Sequence, residues 1–403
     1  MKVEKKNFLG FIWHAIFLAL TMAFVEVNTV IPSMIMESGG EGFAVGLSTA
    51  IMVGIPLLVQ LLFASYLTIK PRKKPFLIIG IYLRITALFG IAFLLRSRFE
   101  SVLLLFLIFI VLSVFSFSGV FAGICYTDLL GKGIPLKDRK SFMTFRQIAG
   151  SGIALLGAFL ARYIVGNIEY PDNYSIMFLI AGIFLFVASF GFFAISEKKV
   201  ETKKMPGFWK IMKSIPSTLR KDKNLLNYIL FTNFTGFGLI LIPFYVLLAK
   251  QHFGLSGENV GNFLLFQMGG MLLAGFMWRR FLLKKGLKKL LQRCVVIGSL
   301  IPIMALILVR TSVELFIVIF LLSAITLSAR KISFEWLLIE ITNEENRSLY
   351  TGIAGALNLV TALLPLLLGT LIQTIGFLPV FIISSLSIIS GLYFLNKIRV
   401  EYA

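Results

Sequence analysis

Long apolar runs alternate with short polar connections along the whole chain. A membrane-spanning helix needs about 20 mostly apolar residues. Twelve runs meet that need, at 8–35, 43–69, 75–96, 101–129, 142–166, 174–196, 225–250, 258–281, 289–309, 313–339, 349–374 and 377–397. Several are longer than the minimum, which leaves room for tilt. The longest connection, 197–223, falls after the sixth run. The pattern therefore predicts an all-α integral membrane protein: twelve transmembrane helices in two pseudo-symmetric six-helix bundles. The N-terminal bundle is 1–196, a basic linker is 197–223, and the C-terminal bundle is 224–403.

The two halves repeat features in order, at an offset of about 212 residues. Val30-Ile31-Pro32 late in run 1 answers to Leu241-Ile242-Pro243 in run 7. Val45-Gly46 opens run 2, and Val260-Gly261 opens run 8. Lys73-Lys74 and Lys288-Lys289 each precede the next run. Run 4 ends on Asp128 and run 10 on Glu340, and an arginine follows each, Arg139 and Arg347. A parallel six-helix repeat about an axis normal to the membrane is a transporter architecture, with the solute site expected between the halves.

Composition agrees with the runs. Of 403 residues, 58% are hydrophobic and 14% charged; a soluble domain is roughly 45–50% apolar and about 25% charged. Lipid must then solvate much of the surface. The net charge of +20 is not a nucleic-acid footprint, because the basic residues sit in short loops without a binding motif around them. They sort by side instead. With the N-terminus inside, the inner loops hold Lys70-Arg72-Lys73-Lys74, Lys132-Lys137-Arg139-Lys140, the linker lysines and arginines, and the Arg279–Arg293 cluster. The outer loops hold only Arg96, Arg98, Lys250 and Arg310. The positive-inside rule thus puts both termini and the linker in the cytoplasm, in a cell (plasma or inner) membrane. The N-terminus lacks a small-residue cleavage site and reads as a retained first helix.

The chemistry-bearing motifs of enzymes are missing. There is no Gly-Lys-Ser/Thr phosphate loop for ATP, no His-Glu-x-x-His, and no Ser or Cys nucleophile motif. Cys125 and Cys294 offer neither a disulfide framework nor metal-ligand spacing. No enzymatic activity, cofactor or metal is expected.

The layout of six and six helices, the long basic central loop and the basic loops at 70–74 and 279–289 resemble the major facilitator superfamily over nearly the whole chain. The loop between helices 2 and 3 reads Ala-Ser-Tyr-Leu-Thr-Ile-Lys-Pro-Arg-Lys-Lys, a loose match to the family's Gly-x-x-x-Asp-x-x-Gly-Arg-Arg signature that lacks the aspartate. Glu340-x6-Arg347 is similar to the acid–arginine element that closes the cytoplasmic side in sugar-porter relatives, and Asp128…Arg139 is a looser version. Helix 4 lacks the arginine of proton-driven drug exporters, and helix 5 lacks their Gly-Pro pair. The resemblance implies alternating access driven by an ion or solute gradient. The implied partners are a small-molecule solute, a coupling ion such as H+ or Na+, and membrane lipid, for a monomer that binds no nucleic acid. The gate would be Asp128, Arg139, Glu340 and Arg347.

Ionisable side chains at bilayer depth are costly, so each is a site candidate. Ser323, Thr326, Arg330 and Ser333 share one face of helix 10. Arg330 there can grip a carboxylate or phosphate with its planar fork, or be held by a neighbour purely structurally. Lys331 and Glu335 form an i,i+4 pair on another face. His14, Thr21 and Asn28 recur every seven residues on helix 1, either toward the cavity or toward a neighbouring helix. Thr232 and Asn233 sit near mid-depth in helix 7. Glu26 is a candidate coupling carboxylate, as is His14 a candidate coupling group; Glu26 also has a structural reading, with Arg84 as partner. The expected function is secondary transport of a small polar or anionic solute. The alternatives are an exporter of amphipathic compounds and a non-transporting sensor or scaffold on the same fold.

Overall fold

The computed structural model describes residues 3–68, 70–97, 99–197, 208–254, 256–342 and 347–399. Among these residues the regular structure is entirely helical: α1 (Val3–Phe24), α2 (Val30–Glu37), α3 (Gly42–Thr49), α4 (Ile55–Thr68), α5 (Lys74–Leu95), α6 (Ser101–Gly133), α7 (Leu136–Asn167), α8 (Asp172–Ala194), α9 (Phe208–Lys221), α10 (Lys223–Ile240), α11 (Ile242–Phe253), α12 (Gly257–Lys285), α13 (Leu287–Leu308), α14 (Val313–Phe316), α15 (Val318–Glu340), α16 (Arg347–Ala356), α17 (Leu359–Ile375) and α18 (Phe377–Lys397). A π-helical turn, Ala50–Gly54, joins α3 to α4. Among the described residues, twelve helical stretches are long and apolar enough to cross a membrane, in agreement with the twelve runs.

Several spans are interrupted. The first run breaks at 25–29 between α1 and α2, the seventh between α10 and α11, and the eleventh at 357–358 between α16 and α17. Irregular backbone at membrane depth must find internal partners. At the eleventh span Asn233 supplies them. Its Nδ2 donates to the Leu357 carbonyl (2.9 Å), and its Oδ1 accepts from the Val360 N–H (3.1 Å). One amide thus spans the gap on both sides.

By contacts the chain divides into two units. The first comprises Met1–Glu26, Glu37–Gly39 and Val59–Pro206. The second comprises Val27–Met36, Gly40–Leu58 and Gly207–Ala403.

The first unit packs α1 against α8 and α7, and α5 against α6 and α8. In the second, α10 packs on α18 and α17, and α13 on α15 and α18, which is the same scheme six spans later. The repeat extends to single hydrogen bonds. Asn7 donates to the Ser196 carbonyl and accepts from the Ser196 N–H, two residues past the end of α8. Asn224 does the same to Arg399, two residues past the end of α18. The Lys74 ammonium donates to the Phe193 and Ile195 carbonyls, and Lys288 to those of Asn396 and Ile398. Each lysine neutralises the negative end of a helix, where free carbonyls gather.

A buried amide that loses such partners costs about 1–3 kcal/mol. Asn7→Ala is expected to lower the thermal midpoint of the purified protein, and Asn224→Ala to lower it less, because Asn7 is buried and Asn224 is only half-buried. Unchanged midpoints in both would contradict the clamp.

Lys73 lies beside the first clamp. Its ammonium donates to the Leu67 and Lys70 carbonyls, and its backbone N–H donates to Glu197 (2.6 Å). Burial lowers its pKa below the ordinary lysine value, against an upward pull from the Asp128 carboxylate.

In the second unit α3 lies against α17 at backbone distance. A Cβ on Gly46 would collide with the Pro365 carbonyl, and one on Gly54 with the Ala362 backbone. At the end of this seam the Gln373 amide donates to Glu41 (2.9 Å). Close approach over several turns is what small residues at four-residue spacing permit. The helix α9 stands apart as an amphipathic segment. Ile215 is buried while Met212, Lys213 and Arg220 are exposed. Asp222 ends it, accepts from the Leu225 N–H to cap α10, and accepts from the Tyr350 hydroxyl (2.8 Å).

Candidate solute site

In the second unit the polar centre is Arg330 on α15. Its Nη1 donates to the Thr235 carbonyl (3.0 Å) and hydroxyl (3.1 Å) on α10. The guanidinium carbon lies 4.0 Å over the Phe334 ring, which itself stacks on Phe231 at 5.0 Å. Ring faces attract cations, and do so more strongly away from water. Among the described residues no carboxylate lies within 4.0 Å of Arg330. The arginine is half-buried, and its Nη1 is committed to Thr235.

Two of the three hydroxyls expected to share its face are spent locally. Thr326 donates to the Ser323 carbonyl and Ser333 to the Ala329 carbonyl, and both are buried. Ser/Thr back-bonding of this kind satisfies the hydroxyl within its own helix. Ser323 is buried, and its Oγ has no hydrogen-bond partner. On α10, Thr232 donates to the Ile229 carbonyl, and Asn233 bridges the α16–α17 break. The Glu335 side chain of the expected Lys331–Glu335 pair lies outside the described residues.

In the first unit His14 and Thr21 both face α8. His14 Nδ1 lies 3.4 Å from the Ala188 carbonyl, a donor in the tautomer protonated there. Thr21 Oγ1 reaches the Phe17 carbonyl (2.9 Å) and the Ala181 carbonyl (3.4 Å). The acceptors on α8 are seven residues apart, matching the spacing of the donors on α1. Asn28 and Glu26 lie at the α1–α2 break; Glu26 is buried, at 6% exposure. Arg84 is not the partner of Glu26 that the sequence suggests. Its guanidinium instead contacts the Met22 thioether (3.8 Å) and lies over the Phe115 ring (4.3 Å). Nothing in the sequence advertises Tyr126 and Arg146 as a pair, yet the Arg146 guanidinium lies 5.3 Å from the Tyr126 ring centroid.

For the expected gate, Asp128 pairs with Lys132 one turn on, and Glu340 accepts from the Trp336 indole N–H (2.7 Å). The side chains of Arg139 and Arg347 lie outside the described residues. Among the described residues, no three His, Cys, Asp or Glu side chains come together as metal ligands.

Comparison with known proteins settles the family. The Major Facilitator Superfamily model matches residues 12–292. The chain belongs to the major facilitator superfamily. It is accordingly a multi-pass membrane protein of a transporter family, and no catalytic family is indicated. Solved structures share the fold at low identity. A point mutant of the nucleoside transporter NupG is 12% identical with a TM-score of 0.72, over 97% of this chain and 99% of that one. A D-xylose-proton symporter is 14% identical with a TM-score of 0.70, over 98% and 97%. The inward-open xylose transporter XylE from E. coli is 15% identical with a TM-score of 0.66, over 98% and 95%. No curated protein resembles this major facilitator closely enough in sequence to count as a relative.

Proposed function

We propose that this major facilitator is a secondary active transporter. It moves a small polar or anionic solute by alternating access of two six-helix bundles, 1–196 and 224–403, joined by the 197–223 linker. The observation that carries this reading is Arg330, a guanidinium at membrane depth held only by Thr235 and the Phe334 ring, with no carboxylate within 4.0 Å among the described residues. Such a charge costs several kcal/mol to bury, and its planar fork matches an oxyanion or a pair of hydroxyl acceptors. The fold shared with nucleoside and xylose carriers supports a solute of comparable polarity. Around Arg330, the site would draw on Ser323, Thr326, Ser333, Thr232 and Asn233; His14 and Thr21 of the first unit, and Asn28 at the α1–α2 break, are separate candidates for solute contact. Glu26, with His14 beside it in role, would couple a proton or sodium ion, because a buried carboxylate can be neutral or charged according to its surroundings. The protein acts as a monomer in the cell membrane, with both termini and the linker cytoplasmic.

Uptake by proteoliposomes under an imposed proton or sodium gradient tests this reading. Wild type should accumulate solute against its gradient. Glu26→Gln should still equilibrate solute but lose that accumulation. Equal accumulation by both proteins would remove Glu26 from coupling.

Asp128, Arg139, Glu340 and Arg347 would hold the cytoplasmic side closed when the site faces out. Charged pairs near water form and break at modest cost. Glu340→Gln is expected to shift spin-label distances across the cytoplasmic ends of α6 and α15 toward longer values. An unchanged distribution in folded protein would reject the gate.

A further inference from the structure

The first unit holds a second group of cations whose partners are unexpectedly poor. Arg84 lies ten residues into α5, about 15 Å along the helix and so near mid-bilayer. A guanidinium carries five donors and ordinarily finds carboxylates, phosphates or carbonyls. Arg84 finds a thioether and a ring face, both weak partners. Its Nε is inaccessible to solvent and has no hydrogen-bond partner. Gly119 of α6 lies beside it: a Cβ there would sit in ordinary contact, 3.5 Å from that same Nε.

The second cation, Arg146 of α7, lies over the Tyr126 ring. The Tyr126 hydroxyl is likewise inaccessible and without a hydrogen-bond partner. The His14 ring is 5.6 Å from the Tyr126 ring, and it lies within electrostatic reach of both Arg84 and Arg146. Among the described residues no carboxylate lies within 4.0 Å of either arginine.

These groups share one line on α6. Phe115, Gly119, Gly123 and Tyr126 recur at helical spacing and lie along one face. Arg84 marks one end of it and Arg146 the other, and Gly119 and Tyr126 are about 10 Å apart along the axis. Between them a Cβ on Gly123 would meet nothing within 4 Å, and the same holds for Gly152 on α7.

We propose that this face of α6, flanked by Arg84, Arg146, Tyr126 and His14, is an anion site that takes the carboxylate or phosphate of a small organic solute. The inference rests on the transporter reading, narrows its substrate class from polar or anionic to acidic, and places the acid's contacts in the first unit. A buried cation without a counter-charge is strongly unfavourable, whereas a charge-assisted bond to an oxyanion is among the stronger contacts a protein makes. The anion meets the guanidinium donors that the Met22 contact leaves over, and Arg84 turns toward the open Gly123 face to bring its shielded Nε–H into reach. The Tyr126 hydroxyl donates to the polar remainder of the solute, about one sugar's length away.

Thermal unfolding of the purified protein with matched probes tests this. The pairs are glucose against glucose 6-phosphate, glycerol against glycerol 3-phosphate, and benzyl alcohol against benzoate. At least one acidic member should raise the midpoint by several degrees while its neutral twin does not, since a ligand stabilises the state it binds. Arg84→Gln should abolish that rise and leave the midpoint of the empty protein unchanged or higher, because it removes a charge with no counter-ion. Tyr126→Phe should weaken binding about tenfold without lowering the empty midpoint. Protection by neutral members alone, or by none, overturns the anion site. So does an Arg84→Gln protein that is destabilised when empty yet still protected by the acid. Wild-type uptake of a neutral solute by Arg84→Gln would sink the anion site and leave the transporter reading standing.

Discussion

Replacing Arg330 by alanine is expected to reduce solute uptake to about one-hundredth or less of wild type. The two bonds from its Nη1 reach Thr235 on α10, and its cation lies over Phe334 on its own helix. A hydrogen bond to a charged group contributes about 1.5–3 kcal/mol, so two lost to a solute correspond to roughly a hundredfold or more in affinity. The same residue also ties α15 to α10, which gives a purely structural account that must be separated. Arg330→Lys does so. Lysine keeps the charge and the contact with the ring but lacks the fork. If the fork binds solute, lysine stays as stable as wild type when empty and binds solute poorly. If Arg330 is only a tie between helices, alanine lowers the midpoint and lysine restores both stability and uptake. A stable and fully active Arg330→Ala protein would refute both accounts.

Gly46→Leu is expected to abolish uptake while the protein still folds and inserts. The Pro365 carbonyl already occupies the place of any side chain at position 46. Overpacking of this kind costs about 1–3 kcal/mol and is relieved by separating the helices. The α3–α17 seam would therefore open, and if the proposed cycle requires it closed in one state, uptake would stall. A cysteine pair introduced at Glu41 and Gln373, whose side chains hydrogen-bond in the native protein, reports on the seam. Crosslinking should be efficient with the native glycine and weak with the Gly46→Leu substitution. Unaltered crosslinking together with normal uptake would show that the seam takes up the leucine without separating, and would contradict this account.

The sequence is most informative where lipid leaves few choices. Only helices and closed barrels satisfy every backbone group in a bilayer, so twelve apolar runs already mean twelve helices. The paired lysines at 73–74 and 288–289 also announce the repeat, and the structure adds that Lys74 and Lys288 hold equivalent carbonyls. Asn7 and Asn224 make the matching clamps but carry no signal in the sequence, because an asparagine near a helix start is ordinary until its partner is known. Spacing places His14 and Thr21 on one face of α1. It does not say that α8 lies against that face, since helix neighbours are set by packing across the whole bundle. The break at 357–358 is hidden for a similar reason. Its backbone is rescued by Asn233, 124 residues earlier in the chain. Arg84, Arg146 and Tyr126 line one face of α6 from three different helices, and no local pattern groups them.

The most direct test of the central claim is counterflow in proteoliposomes. Vesicles holding purified protein are loaded with unlabelled solute chosen by thermal stabilisation, then diluted into a trace of labelled solute with all ion gradients collapsed. A carrier that exposes one site alternately to each side must exchange the inner pool for the outer label. Labelled solute should therefore rise transiently above its outer concentration and then decay, and Arg330→Ala vesicles should show no rise. Monotonic equilibration without an overshoot, or entry no faster than into protein-free vesicles, would contradict transport by alternating access.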